Sequence, residues 1–128
     1  MKILLDTHLL LWVARDPDKL SAEALELLGS TENKLFFSVA SLWEIAIKKG
    51  LGRSDFQVDA RLLYRELLEH GYNELVISGE HAVMVDALPP IHKDPFDRIL
   101  IAQAMKEGFL LLTKDAAIAK YPGPIHRV

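Results

Sequence analysis

Lys2-Ile3-Leu4-Leu5-Asp6-Thr7 opens the chain with an unbroken apolar run, then an acid, then a hydroxyl. A short run that is apolar on both faces reads as a strand buried from both sides. Asp6-Thr7 then leads into a short helix through Leu9–Ala14. The same pattern recurs downstream. Leu35-Phe36-Phe37-Ser38 reads as a strand ahead of a helix over Val39–Lys49, Glu74–Ser78 as a strand ahead of a helix over His81–Leu88, and Phe109–Leu112 as a strand ahead of a short helix over Ala116–Lys120. Ser21 is expected to cap a helix ending near Gly29, Asp59 to begin one carrying Leu62, Leu63, Leu67 and Leu68, and Asp94-Pro95 to begin one running to Gly108. Gly50, Gly71 and Gly108 stand where a left-handed residue would end a helix. Ile125–Arg127 is a candidate edge strand. Continuous apolar strands alternating with helices indicate a parallel sheet covered on both faces, an α/β fold of three layers.

The 128 residues show no repeat, no low-complexity tract and no linker, so residues 1–128 are expected to form a single domain. There is no cysteine, which removes disulfides, thiolate metal sites and cysteine nucleophiles together and fits a reducing compartment. The apolar start does not read as a signal peptide. Asp6 and His8 interrupt it, and Arg15-Asp16-Pro17-Asp18 follows where small residues would be needed. No run approaches the roughly 20 apolar residues of a membrane span, so a cytoplasmic, membrane-free protein is expected. With 18 acidic against 15 basic residues the net charge is −3, and the broad basic footprint of a nucleic-acid binder is missing. Any such function would rest on a local basic rim, or on cations that invert the sign of an acidic pocket.

Acids fall at telling places. Asp6 follows the first strand directly, Glu44 lies early in the helix after the second, Asp97 lies on the first turn of the helix begun by Asp94, and Asp115 follows Leu112-Thr113-Lys114. The strands of a parallel sheet end at one edge, where ligand crevices form. Carboxylates gathered there would raise one another's pKa values. A divalent cation would resolve that crowding, and an all-oxygen donor set suits Mg²⁺ or Mn²⁺. Those ions support phosphodiester hydrolysis without a nucleophilic side chain. Each acid also has a capping reading. Asp6 and Asp94 precede helices, Ser41-Leu42-Trp43-Glu44 matches a capping box, and Asp115 precedes Ala116-Ala117. The spacing alone leaves both readings open.

Four blocks taken together carry a family resemblance. Leu4-Leu5-Asp6-Thr7, Ser41–Lys48, Asp94–Ala102 with Gln103-Ala104, and Leu112-Thr113-Lys114-Asp115 resemble, in order, the blocks of PIN-domain proteins, and are most similar to the VapC-like toxins of toxin–antitoxin systems. The resemblance runs essentially end to end. It implies a central parallel sheet of four or five strands, a Mg²⁺ or Mn²⁺ site, endonucleolytic cleavage of an RNA substrate, a homodimer, and a cognate antitoxin protein. It also implies that Asp6, Glu44, Asp97 and Asp115 are the catalytic metal ligands, supported by Thr113. Asp94 is the ambiguous acid, and its position before Pro95 favours a cap over a ligand.

Lys48, Lys93, Arg98 and Lys114 are candidates for an RNA-binding rim, with Arg98 favoured for its place beside Asp97, and Lys49 and Arg53 lie nearby. His8 and His92 are expected to make local hydrogen bonds in preference to acting as a general base. Trp12, Trp43 and Phe96 sit in apolar helical patterns and are expected in the core or at a dimer contact. Two rival functions remain: a receiver-type Mg²⁺-binding signalling domain, against which stands the lone Asp6 after the first strand, and a catalytically inert PIN-like binding module, against which stands the complete set of four acids.

Overall fold

The computed structural model describes all residues 1–128. Five strands form one sheet: β1 (Lys2–Leu5), β2 (Lys34–Ser38), β3 (Asn73–Leu75), β4 (Leu110–Thr113) and β5 (Ile125–Arg127). Every pairing is parallel and the spatial order is β3-β2-β1-β4-β5. The α/β three-layer expectation holds, with five strands. The helices are α1 (Thr7–Arg15), α2 (Ala22–Gly29), α3 (Val39–Gly50), α4 (Ala60–Glu69), α5 (Gly79–Met84) and α6 (Pro95–Glu107). None is long and apolar enough to cross a membrane.

Alternation along β1 explains the two cores. Ile3 and Leu5 point to one face, where they meet Leu9 and Leu10 of α1, Ala24 of α2, Ile45 of α3 and Leu63 of α4. Leu4 points to the other, against Leu100, Ile101 and Ala104 of α6 and Leu111 of β4. All are shut off from solvent, and each large side chain buried this way contributes roughly 1.5–3 kcal/mol. That double burial makes β1 the middle strand and explains why its sequence carries no polar alternation.

From β1 the chain steps outward to β2 and β3, then returns to the opposite side of β1 for β4 and β5. The direction of travel reverses between β1 and β4, and ligands of open parallel sheets bind at the C-terminal ends of such a pair. Leu5 of β1 pairs with Leu112 of β4, so Asp6 and Thr113 emerge side by side there.

Local departures from the sequence reading are instructive. The cap of α3 is Ser38, whose hydroxyl accepts from Ala40 N at 3.0 Å. Ser41-x-x-Glu44 is therefore not a capping box; Ser41 is buried within the helix and accepts from Thr7 Oγ1 at 2.9 Å, tying α3 to α1. A capping box does form at Ser78 and His81, and by starting α5 it helps to end β3 at Leu75 instead of Ser78. Helix α3 runs through Gly50, and the left-handed residue after it is Gly52 (φ 78°), while Gly108 (φ 72°) closes α6 as expected.

Candidate metal centre

The site draws on the ends of β1 and β4, on α3 just beyond its first turn and on the first turn of α6. Asp6 caps α1: Oδ1 accepts from Leu9 N at 2.9 Å, and Oδ2 accepts the Thr113 hydroxyl. Thr113 is itself buried and its oxygen accepts from Asp115 N at 3.0 Å, so one hydroxyl joins the acids that leave β1 and β4. Asp6 is only 3% exposed. Burial pushes its carboxyl above the usual range, against the lowering effect of the hydrogen bonds from Thr113 and Leu9. Asp115 is exposed; its Oδ1 accepts from Ala117 N at 2.6 Å and Ile118 N at 3.2 Å, and its charge is felt at Asp6.

Glu44 comes from α3. It is 2% exposed, its Oε2 is paired with Lys48 one turn on, and its Oε1 is buried without a hydrogen-bond partner. Lys48 also lies 3.9 Å from Asp94 Oδ2, and its ammonium sits over the rings of Phe56 (4.8 Å) and Phe96 (5.8 Å). It is thus the internal counter-ion of the acids, held by carboxylates and aromatic faces, and not a rim residue.

At the start of α6 the two acids divide. Asp94 Oδ1 accepts from Phe96 N (2.8 Å) and Asp97 N (3.1 Å), which makes Asp94 the cap. Asp97 is free of that duty, and its Oδ2 lies 2.8 Å from His92 Nε2. Its carboxyl is pushed up to about 6, chiefly by burial, then by the charge of Asp94, with Glu44 and Asp6 adding and the His92 hydrogen bond opposing. Ligand atoms of His92, Asp94 and Asp97 all fall within 4.8 Å of one another, close enough for one cation.

The structure therefore gathers Asp6, Glu44, Asp94, Asp97, Asp115 and Thr113 at the switch-point edge. Arg98 points elsewhere. Its guanidinium donates to the carbonyls of Val85 (3.0 Å), Leu88 (3.4 Å), Pro89 (2.9 Å) and His92 (3.4 Å) and to the Tyr121 hydroxyl (3.0 Å). With its donors committed to backbone, Arg98 fixes the loop that carries His92 and leaves the rim to others. That corrects the expectation drawn from its neighbour Asp97. Lys93 and Lys114 are exposed, and Lys114 borders a cleft with Asp6, His8, Trp12 and Asp115. Trp43 is 61% exposed and so is no core residue.

A family model described as the PIN domain matches residues 3–124. The chain belongs to the PIN domain family. Ribonuclease VapC22 of Mycobacterium tuberculosis (strain ATCC 25618 / H37Rv) is 28% identical over 126 residues, covering 96% of this chain and 95% of its own length. Among solved structures, VapBC2 from Rickettsia felis, bound to a DNA fragment from their promoter, superimposes with a TM-score of 0.74 at 15% identity over 100% of this chain and 99% of that one. The DNA-bound VapBC from Salmonella typhimurium gives 0.67 at 18% identity, over 99% and 98%. These two likenesses concern the PIN fold, which they share across its whole length.

Two features of the site go beyond the sequence reading. Lys48 pairs with Glu44 within α3 and reaches Asp94 only once α3 and α6 are brought together, and the Thr7–Ser41 bond forms only once α1 and α3 are. The i, i+4 spacing of Glu44 and Lys48 was a usable signal for the first.

Proposed function

We propose that this PIN domain is a metal-dependent endoribonuclease and the toxin half of a toxin–antitoxin pair, a single cytoplasmic domain that pairs as a homodimer and is held in check by a cognate antitoxin. The observation that carries the reading is the orphaned Oε1 of Glu44 among converging acids. A buried carboxylate oxygen without a donor costs several kcal/mol. A divalent cation is the partner that would satisfy it and relieve the crowding around Asp97, and the oxygen donors suit Mg²⁺ or Mn²⁺. Asp6, Glu44, Asp97 and Asp115 would hold the ion. Bound there, it would polarise the scissile phosphoryl group and make water a competent nucleophile.

The chain's own groups do the positioning. Thr113 fixes the rotamer of Asp6 and the backbone of Asp115 with one hydroxyl. His92 engages one oxygen of Asp97 and so orients the other, in the manner of an outer-shell partner. Lys48 neutralises part of the negative field, and Lys93 and Lys114 are left to meet phosphates. The likeness to Ribonuclease VapC22 supports the choice of RNA, and the VapBC complexes support a protein partner.

The reading is tested by incubating purified protein with single-stranded RNA and Mn²⁺ or Mg²⁺, and by mapping RNA 5′ ends after brief induction beside an Asp6→Asn control. Cleavage should need the metal and be lost with Asp6→Asn. Expression should arrest growth, and a small reading frame beside the gene should relieve the arrest. Intact RNA with folded, metal-loaded protein would sink the nuclease; harmless overexpression of an active nuclease would sink only the toxin role.

A further inference from the structure

His8 and Trp12 stand one turn apart on α1, on the same side of the helix, beyond its acidic cap Asp6. Together they wall two adjoining clefts. The inner cleft is bounded by these rings with Asp6, Lys114 and Asp115. The outer cleft continues past the same rings to Lys19, Ser54 and Gln57. His8 and Trp12 thus stand between the acids of the site and the outer flank of α1.

Its walls have a definite chemistry. Trp12 is half-buried against the core, which fixes its indole, and Lys19 Nζ lies 6.0 Å from the ring. His8 leans edge-on against Phe56 at 5.4 Å and keeps about half of its side chain exposed, at 49%. The acids of the outer cleft are already matched, Asp16 by Lys19 at 3.6 Å and Asp55 by Arg53 at 3.1 Å, and His8 Nε2 lies 3.7 Å from Asp55. Anchored aromatic rings beside cations and hydrogen-bonding side chains suit an unpaired nucleobase, which offers a π-face and a polar edge. The other tryptophan lies in different surroundings. Trp43 borders a cleft lined by Ile77, Val85, Phe96 and Ile99, with no charged group.

We propose that Trp12, with His8, is the stacking platform for the base of the nucleotide next to the scissile phosphate. Trp12 lies about 9 Å along the helix axis from Asp6, within reach of a neighbouring nucleotide. The inference rests on the ribonuclease reading and deepens it by naming the side chains that would hold the base beside the cut.

Trp43→Phe leaves Trp12 as the sole tryptophan, and Asp115→Asn is added to stop turnover. Titrating this protein with a short single-stranded oligoribonucleotide of mixed sequence should quench the Trp12 emission, and the same sequence as a duplex should quench it far less. The reciprocal Trp12→Phe protein, reporting from Trp43, should stay unchanged. In cleavage-competent protein, Trp12→Ala should lower kcat/KM by about ten- to a hundredfold, as expected for loss of one base stack, and Trp12→Phe by much less. The loss should vanish on a substrate that is abasic beside the cut. Cleaving wild type with an unresponsive Trp12 overturns the platform and spares the nuclease. So does an equal loss on intact and abasic substrates, which marks a merely structural ring. Quenching without cleavage by the wild type spares the platform and overturns the nuclease.

Discussion

Helices α1 and α6 both begin on an acid at the same edge of the sheet, and they use it differently. At α1 a single residue does two jobs, because Asp6 satisfies the first turn with Oδ1 and receives Thr113 on Oδ2. At α6 the jobs are split three residues apart: Asp94 caps the helix, and Asp97 projects among the other acids beside His92. Capping and a place among the gathered acids are thus not exclusive alternatives for an acid at a helix start. Where one residue does both, its truncation to alanine should injure fold and site together, whereas asparagine should keep the cap. Where two residues share them, each can be removed separately.

Catalysis gives the largest expected effect. Exchanging an outer-shell partner of a metal ligand costs 10- to 100-fold, so losing a ligand should cost at least about a hundredfold. Asp97→Asn, Asp6→Asn, Glu44→Gln and Asp115→Asn should each fall that far in RNA cleavage measured with saturating Mn²⁺, with the far-UV spectrum unchanged. The comparison breaks if Asp97→Asn keeps full activity, because Asp97 would then be a spectator.

Stability comes next, and here the acid freed from capping at α6 gives the clearest reading. Asp97 holds its proton more tightly in the folded protein, at about 6, than in the unfolded chain, where the reference value is 3.8. The metal-free protein should therefore lose stability as pH rises between these values and level off above them. At about 1.4 kcal/mol per unit, the loss approaches about 3 kcal/mol, and Asp6, also raised, adds with the same sign. Asp97→Asn should be the more stable protein in EDTA near neutral pH, with the advantage closing near pH 4. Urea midpoints at both pH values would show it, and a variant that melts lower than wild type in EDTA would refute it. Added Mn²⁺ should stabilise the wild type with the logarithm of its concentration, and the variant much less.

The contrast also shows what the sequence could disclose. Strands and their order of acids were legible because burial on both faces leaves an unbroken apolar run, as in Ile3-Leu4-Leu5 and Leu110-Leu111-Leu112. The division of labour at α6 was legible from Pro95, which marks Asp94 as the cap. The capping reading of Glu44 falls away, since the Ser41 that suggested a capping box belongs to a buried contact with Thr7 and Ser38 caps the helix instead. Arg98 was misread because a neighbour in sequence need not face the same way on a helix. Asp97 looks toward the sheet edge, whereas Arg98 turns to the carbonyls of the loop before α6. Charge type is written in the chain; side-chain direction is set by packing.

The smallest expected effect is the most discriminating. If Asp94 is only the cap of α6, what matters is an oxygen at Oδ1 that can accept from Phe96 N and Asp97 N. Asparagine supplies that oxygen about as well as aspartate, whereas alanine supplies none and costs about 1 kcal/mol. Asp94→Asn should then melt within a degree or so of wild type, and Asp94→Ala a few degrees lower, with Mn²⁺ raising all three melting temperatures alike. If Asp94 is also a ligand, its charge matters as well as its oxygen. Asp94→Asn should then lose the Mn²⁺ response as fully as Asp94→Ala does, although its helix is still capped. The 3.9 Å approach of Lys48 to Asp94 Oδ2 works the other way: in EDTA, removing the Asp94 charge gives up part of that pairing while relieving Asp97. These two terms oppose each other, so the metal-free difference between Asp94→Asn and wild type should be small. The Mn²⁺ response of Asp94→Asn is therefore the quantity that decides whether α6 lets one acid both cap and bind, as proposed for Asp6 at α1.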